Sequence, residues 1–467
     1  MAADRLSLLD AGWLMIEGPE RPMHTAALSL VTLPDGAGPD FIRETVVTGL
    51  LAGTPRPPFN KRLTRPNGRA GQYRWETADI DLSHHVRHLA LPRPGRIREL
   101  FQLVSQFHAS LLDRHRPLWE VTFIEGLDDG RAAMYFKSHH AMLDGVAAMR
   151  QLTAAFTSDP DRTGMPAPWS ALDDPTPDAS DDEADIVVQG GVADALRSAT
   201  AGLSAAGGAA GSMAAAMGAL ARQVRSARQQ VDIVAPYQAP RSILNRKLTG
   251  SRRFVAQSYD FDRIRSVGKA HGATVNDVSL ALCGHALREY LISHNALPDD
   301  PLIAMVPVSI RDEESTSGNS ISMVLTTLAT DVADPVRRLH RIRESMQDSK
   351  DRLRAMSRSE RRDYGMLLMT PILLGQMTGL SGRTRPLHNV VISNVPGPSE
   401  AQYWNGVRLD GLYPVSLLTT GYALNITQVS YAGNMEFGII ADRANLPSVQ
   451  RMIDHIEDGL LELEKAA

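Results

Sequence analysis

His139-His140-Ala141-Met142-Leu143-Asp144-Gly145 sets two imidazoles, a carboxylate and a glycine at the end of the apolar run Ala132-Ala133-Met134-Tyr135-Phe136. Histidine alone has an ordinary pKa close to neutrality, so an imidazole at a strand end can take a proton from a hydroxyl and return it in a later step. One ring suffices for that chemistry. Adjacent strand residues point to opposite faces, so only one of the pair serves a given cavity and the other has a structural job. The same alternation argues against a metal held by both rings, and no metal is expected. A hydrogen-bonded core pair at a tight turn is the other reading the residues leave open. The sequence contains no GxSxG, GxxxxGK, GxGxxG or HExxH, so serine hydrolase, nucleotide-binding and zinc-peptidase chemistry have no local support.

The elements that must position these residues follow from periodicity. Alternation predicts strands over 24–33 and 132–140. Ile97, Leu100, Phe101, Val104, Phe107 and Leu111 fall at helical spacing, predicting an amphipathic helix from Ile97 to His115. A helix over 145–157 completes a first mixed α/β half, with Gly145 letting the chain turn tightly before it. Residues 158–185 are rich in Pro, Asp, Ser and Thr, with the acidic run Asp181-Asp182-Glu183, and read as an exposed loop. The Ala- and Gly-rich stretch 190–232 reads as a crossover helix pair. A second half carries predicted helices over 274–293, 335–358 and 447–465. Its predicted strands are 302–310, 390–395, 423–430 and 435–441, with a hairpin turn at Gly433-Asn434. The domains are accordingly 1–180, a linker 181–240, and 241–467.

Several residues outside the central motif have two readings. Thr274-Val275-Asn276-Asp277 has the form of a helix capping box, which accounts for Thr274 and Asp277 but leaves the Asn276 amide free to bond a developing oxyanion. Ser309, Ser393 and Asn394 end apolar runs, where they either line a tunnel or satisfy turns. Trp119, in Pro117-Leu118-Trp119, either walls a channel or packs beside a strand start. His84, His85 and His88 cluster without a carboxylate or cysteine pattern and read as a solvated loop.

The motif HHAMLDG resembles the HHxxxDG signature of the CoA-dependent acyltransferase superfamily. Six further blocks narrow the resemblance: Leu6-Ser7-Leu8-Leu9-Asp10-Ala11-Gly12-Trp13, Pro22-Met23-His24, Pro117-Leu118-Trp119-Glu120, Thr274-Val275-Asn276-Asp277-Val278, Val306-Pro307-Val308-Ser309-Ile310-Arg311 and Ser393-Asn394-Val395-Pro396-Gly397-Pro398. In that order they resemble the bacterial wax ester synthase/diacylglycerol acyltransferase family. The resemblance implies an α/β fold of mixed sheets, with two chloramphenicol-acetyltransferase-like domains and an active-site tunnel at their interface. It also implies long-chain acyl transfer from acyl-CoA, as co-substrate and without a resident cofactor, to diacylglycerol or a long-chain alcohol. His140 would then be the general base, beside His139 and Gly145. Asp144 would be structural and paired with an arginine from the other half, for which Arg311 is the candidate and an ordinary solvated charge the other reading, with Asp277 as a further structural partner. Carrier-protein-dependent acyl transfer to another hydroxyl or amine, and a non-catalytic lipid-binding relative, are the alternatives.

Composition frames these expectations. With 467 residues and 43% hydrophobic content the chain exceeds the size at which one core stops growing, so two domains are expected. A single cysteine, Cys283, permits no internal disulfide and fits a reducing compartment. No secretory signal is evident at the start, so a cytoplasmic enzyme is expected. The net charge of -4 gives no attraction to nucleic acid. Arg352, Arg354, Arg358, Arg361 and Arg362 precede an apolar run from Tyr364 to Leu374 that is too short to span a bilayer. Peripheral contact with a membrane or lipid-droplet surface, through this stretch or 190–232, stands beside the reading as a core helix with a basic flank.

Overall fold

A computed structural model describes residues 4–6, 8–38, 40–65, 73–143, 145–170, 238–310, 320–356 and 381–467, with 360, 364, 365, 368, 372, 375, 376 and 379 between the last two stretches. In chain order the strands are β1 (Asp4–Arg5), β2 (His24–Thr32), β3 (Lys61–Thr64), β4 (Arg74–Thr77), β5 (Val86–Ala90), β6 (Trp119–Glu125), β7 (Ala132–His139), β8 (Arg252–Asp260), β9 (Ile303–Ile310), β10 (Ser320–Thr327), β11 (Val390–Pro396), β12 (Gln402–Trp404), β13 (Val407–Val415), β14 (Leu424–Tyr431) and β15 (Asn434–Asp442). The longer helices are α1 (Leu8–Ile16), α2 (Ile97–Ala109), α3 (Gly145–Ala154), α4 (Phe261–Ala270), α5 (Val275–Ser293), α6 (Pro335–Ala355) and α7 (Arg451–Lys465).

Two six-stranded mixed sheets dominate, ordered β12-β13-β2-β7-β6-β5 and β10-β9-β11-β14-β15-β8, beside a small β1-β4-β3 sheet. All eight residues of β7 are buried, which requires cover on both faces. Leu28, Leu30, Ala133 and Tyr135 pack with α2 on one face, while Val31, Phe123, Met134 and Phe136 build a separate core on the other. The second sheet is closed by α5, buried along most of its length, with α6 and α7 beside it.

Residues 241–467 are not confined to the second sheet, because β13 pairs antiparallel with β2 and carries β12 to the edge of the first. The return is tight. A Cβ built on Gly438 of β15 would sit 1.8 Å from the Pro414 carbonyl oxygen of β13, so only glycine lets the two sheets approach this closely.

Local differences from expectation have local causes. The predicted helix 97–115 stops at Ala109, because its terminal carbonyls are taken by buried groups of the sheet below. The Lys137 ammonium donates to the Phe107 and Ser110 oxygens at 3.1 Å, and His24 Nε2 donates to the His108 oxygen at 2.8 Å. The hairpin turn is Ala432-Gly433 rather than Gly433-Asn434. Both have positive φ, as a primed two-residue turn demands, and Tyr431 pairs with Asn434. Gly145 is the first residue of α3, has no positive φ, and leaves room for a Cβ, so no tight turn depends on it. The acidic run and the 190–232 stretch lie outside the described residues, as does most of 357–374.

Candidate active site

The histidine pair divides by environment. His139, the last residue of β7, is fully buried, and its Nδ1 accepts the Ala141 N–H at 3.0 Å. In the neutral ring that leaves the proton on Nε2, which lies 3.3 Å from Glu17 Oε1, within ion-pair reach though off line for a hydrogen bond. His140 lies just past the strand and is half-buried. Its N–H donates to the Met23 oxygen at 2.9 Å, and its ring lies 4.7 Å from the Trp13 indole at 39°. The two rings therefore differ by burial and position, and because the strand ends at His139 rather than at 140, strand alternation is not what separates them.

Glu17 is the residue that sequence reasoning missed. Its Oε2 accepts from Arg114 Nε at 3.0 Å and Nη2 at 2.7 Å, and its Oε1 accepts the Met23 N–H at 3.2 Å. Burial pushes this carboxyl up, but His139, Arg114 and the Met23 N–H together outweigh it and hold it below the ordinary glutamate range. Arg114 also donates to the Leu14 oxygen, tying the end of α1 to the loop after α2. An isolated Glu before Gly18-Pro19 and an isolated Arg nearly a hundred residues later leave no pattern to read.

Three sequence blocks converge on this corner. Trp13 lies tilted against His140, Met23 holds the His140 and Glu17 ends, and Leu118 accepts the His139 N–H at 2.9 Å. Trp119 itself is fully buried, donates through Nε1 to the Phe59 oxygen, and packs on Phe59, His85 and Trp169. The histidines expected in a solvated loop are otherwise placed. His85 ends a short helix, Leu82–His85, and is buried with its ring stacked on Trp119 and its Nδ1 on the Trp119 oxygen, because a large apolar face offsets its loss of water.

The three later blocks converge on a second place. Val275 and Asn276 of α5, Pro307 and Val308 of β9, and Asn394 and Pro396 of β11 all line one cavity of about 350 Å³, together with Lys350 of α6. It opens at the carboxyl ends of the parallel strands β9, β11 and β14, beside the N-terminus of α5. That end is capped as expected. Thr274 Oγ1 accepts the Asp277 N–H at 3.2 Å, and Asp277 Oδ2 accepts the Thr274 N–H at 3.0 Å, so Asp277 is occupied with the helix end and Asn276 is not needed there. Ser309 lies in β9 opposite Ile321, and Ser393 in β11 opposite Thr427. Asp144 and Arg311 lie outside the described residues.

The chain matches the wax ester synthase/diacylglycerol acyltransferase catalytic domain over residues 6–279 and the C-terminal domain of the same enzymes over 317–464. The chain belongs to the wax ester synthase/diacylglycerol acyltransferase family. A putative diacylglycerol O-acyltransferase of Mycobacterium tuberculosis is 42% identical over 99% of both chains. The O-acyltransferase WSD of Acinetobacter baylyi is 42% identical over 97% of this chain and 95% of its own. The solved wax ester synthase/diacylglycerol acyltransferase from Marinobacter aquaeolei VT8 superposes with a TM-score of 0.78 at 39% identity, covering 99% of each chain. A condensation domain of the CDA synthetase shares the fold, at TM-score 0.56 and 14% identity. The two-domain mixed α/β fold expected for this family is the one observed.

Proposed function

We propose that this chain transfers a long-chain acyl group from acyl-CoA to the hydroxyl of diacylglycerol or a long-chain alcohol, with His140 as the general base. The observation that carries the base assignment is the division of the histidine pair. His139 is sealed, with Nδ1 accepting the Ala141 N–H and Nε2 3.3 Å from Glu17 Oε1, and His140 sits half-buried past the strand end with its backbone fixed by Met23.

In this reading His140 takes the hydroxyl proton as the acceptor oxygen attacks the thioester carbonyl, and then gives it to the departing thiolate. Asn276 and Asn394 supply amides toward the thioester end, and Lys350, which forms no ion pair among the described residues, offers a cation to the anionic part of CoA. No resident cofactor is required, because the proton relay and the thioester's own reactivity complete the exchange. Hydrocarbon substrates are favoured by about 0.8 kcal/mol for each buried methylene. No helix among the described residues is long and apolar enough to cross a membrane. In this reading the lipid substrates are met by peripheral contact with a membrane or lipid-droplet surface.

The test supplies purified protein with a long-chain acyl-CoA and either diacylglycerol or a fatty alcohol, and follows free thiol and neutral lipid. Acceptor-dependent thiol release is expected, falling roughly 10²- to 10⁴-fold in His140→Ala. A folded His140→Ala protein that keeps most of the activity refutes the assignment.

A further inference from the structure

Trp13 stands against His140 without any hydrogen bond to fix it. Its Nε1 is buried and finds no acceptor among the described residues, so packing alone sets the ring, against Leu14, Leu63, Leu112, Leu118 and Ala141. The centroids lie 4.7 Å apart at 39°, close enough for a cation on the imidazole to feel the indole face. We propose that Trp13 is a positioning residue that holds the His140 ring at the end of β7 and stabilises its protonated form during acyl transfer.

This role for Trp13 presupposes that His140 is the base. In the step concerned the acceptor O–H bond breaks, its proton moves to a His140 ring nitrogen, and the new C–O bond forms as the C–S bond is lost. The proton then passes to the thiolate. Between those events the ring is an imidazolium. A neutral imidazole gains only dispersion from the indole, whereas the imidazolium also gains electrostatic attraction, so the indole favours the charged form and eases proton uptake.

Among the described residues, the charged and titratable groups of the surrounding elements include Asp10 on α1, Glu17 after it, His24 on β2, Lys61 and Arg62 on β3, Tyr73 before β4, Asp113 and Arg114 in the loop after α2, and Lys137 and His139 on β7. Glu17 is taken up by Arg114, His139 and the Met23 N–H, and Lys137 by the carbonyls ending α2. Burial holds His24 well below its ordinary pKa and hence neutral.

The test measures kcat and KM for acyl-CoA, and the pH profile of kcat/KM, in the parent enzyme and in Trp13→Tyr, Trp13→Phe and Trp13→Leu, with unfolding midpoints alongside. His140→Ala serves as the control. Loss of a face that favours the cation lowers the His140 pKa. Trp13→Leu is therefore expected to lose about tenfold in kcat with little change in KM, and to move the acid limb down by roughly half a pH unit or more. The Tyr and Phe variants are expected to fall between, and they decide the matter if Trp13→Leu is insoluble. An unshifted acid limb across the series, whether kcat holds or falls with the unfolding midpoint, overturns the proposal. Retained turnover in His140→Ala overturns the base assignment and this inference together, whereas an inactive control with an unshifted series overturns this inference alone.

Discussion

At the scale of single residues, the working corner is an arrangement of opposed demands. Glu17 is almost wholly buried and therefore expensive as an anion, yet hydrogen bonds from Arg114 and the Met23 N–H, with His139 close by, keep it charged. Because its folded pKa is depressed, the stability it contributes is fully present above the ordinary glutamate value of about 4.3 and is lost as pH falls through the lower folded value. Glu17→Gln is expected to lower stability by about 2–3 kcal/mol at pH 7, a buried-pair cost discounted because Arg114 is one-third exposed. Urea unfolding midpoints of parent and variant should then converge as pH drops below about 4. Parallel curves would show that the carboxylate's charge is not what matters.

Among elements, the junction of the sheets carries most of the consequence. Gly438→Ala puts a methyl group into the Pro414 carbonyl, and no rotamer relieves a Cβ clash with backbone. A loss of several kcal/mol or of soluble yield is expected, read by urea unfolding. A variant of parental stability would mean that β13 and β15 can part without cost. Two residues away, Glu436 is fully buried, accepts from Ser258 at 2.5 Å, and has an Oε1 with no partner among the described residues. Burial raises its carboxyl, against the lowering effect of Ser258, to about 7. A carboxyl raised in the folded state is destabilising above that value, and the penalty fades as pH falls toward its unfolded value. Glu436→Gln is therefore expected to raise the unfolding midpoint at pH 8 and to change it little at pH 5. The opposite order would place the anion in a solvated or paired site. Ser258 also bonds the Tyr413 hydroxyl at 2.8 Å, so this carboxyl sits on the polar link between β8 and β13.

For the whole molecule, burial sets the acid response. Burial lowers the His108 and His388 rings to about 3 and His285 to about 4, and depresses His24 and His85 as well. A histidine held neutral in the fold contributes stability that is intact above the unfolded value of about 6.5 and declines as pH falls below it. The unfolding midpoint should thus decline from pH 7 to pH 5, by up to about 1.4 kcal/mol per pH unit for each such ring. His388 stacks on Tyr422 and has no hydrogen-bond partner for either nitrogen among the described residues, so His388→Phe should flatten that decline without loss at pH 7. An unchanged slope would assign the acid response elsewhere.

Long periodic segments were legible in the sequence because burial imposes its period on them. The strand at 132–139 and the helix at 275–293 come within a residue or two of expectation. The end of α2 was not legible, since it depends on Lys137 and His24 reaching in from strands that sequence spacing does not connect to it. The strand β13 was not among those expected, and its crossing into the first sheet was hidden as well, as no local pattern says which sheet a strand joins. At the site, the blocks were visible but their grouping into two clusters was not. Glu17 and Arg114, meeting only in space, left no trace.

The central claim, that His140 carries the proton between acceptor and thiolate, is tested most directly by the pH dependence of kcat/KM for acceptor-dependent thiol release in the parent enzyme and in a folded His140→Ala variant. An acid limb governed by a single ionisation is expected in the parent, and in the variant a rate lower by roughly 10²-fold or more with that limb gone. A variant that keeps the same limb, or most of the rate, would contradict it.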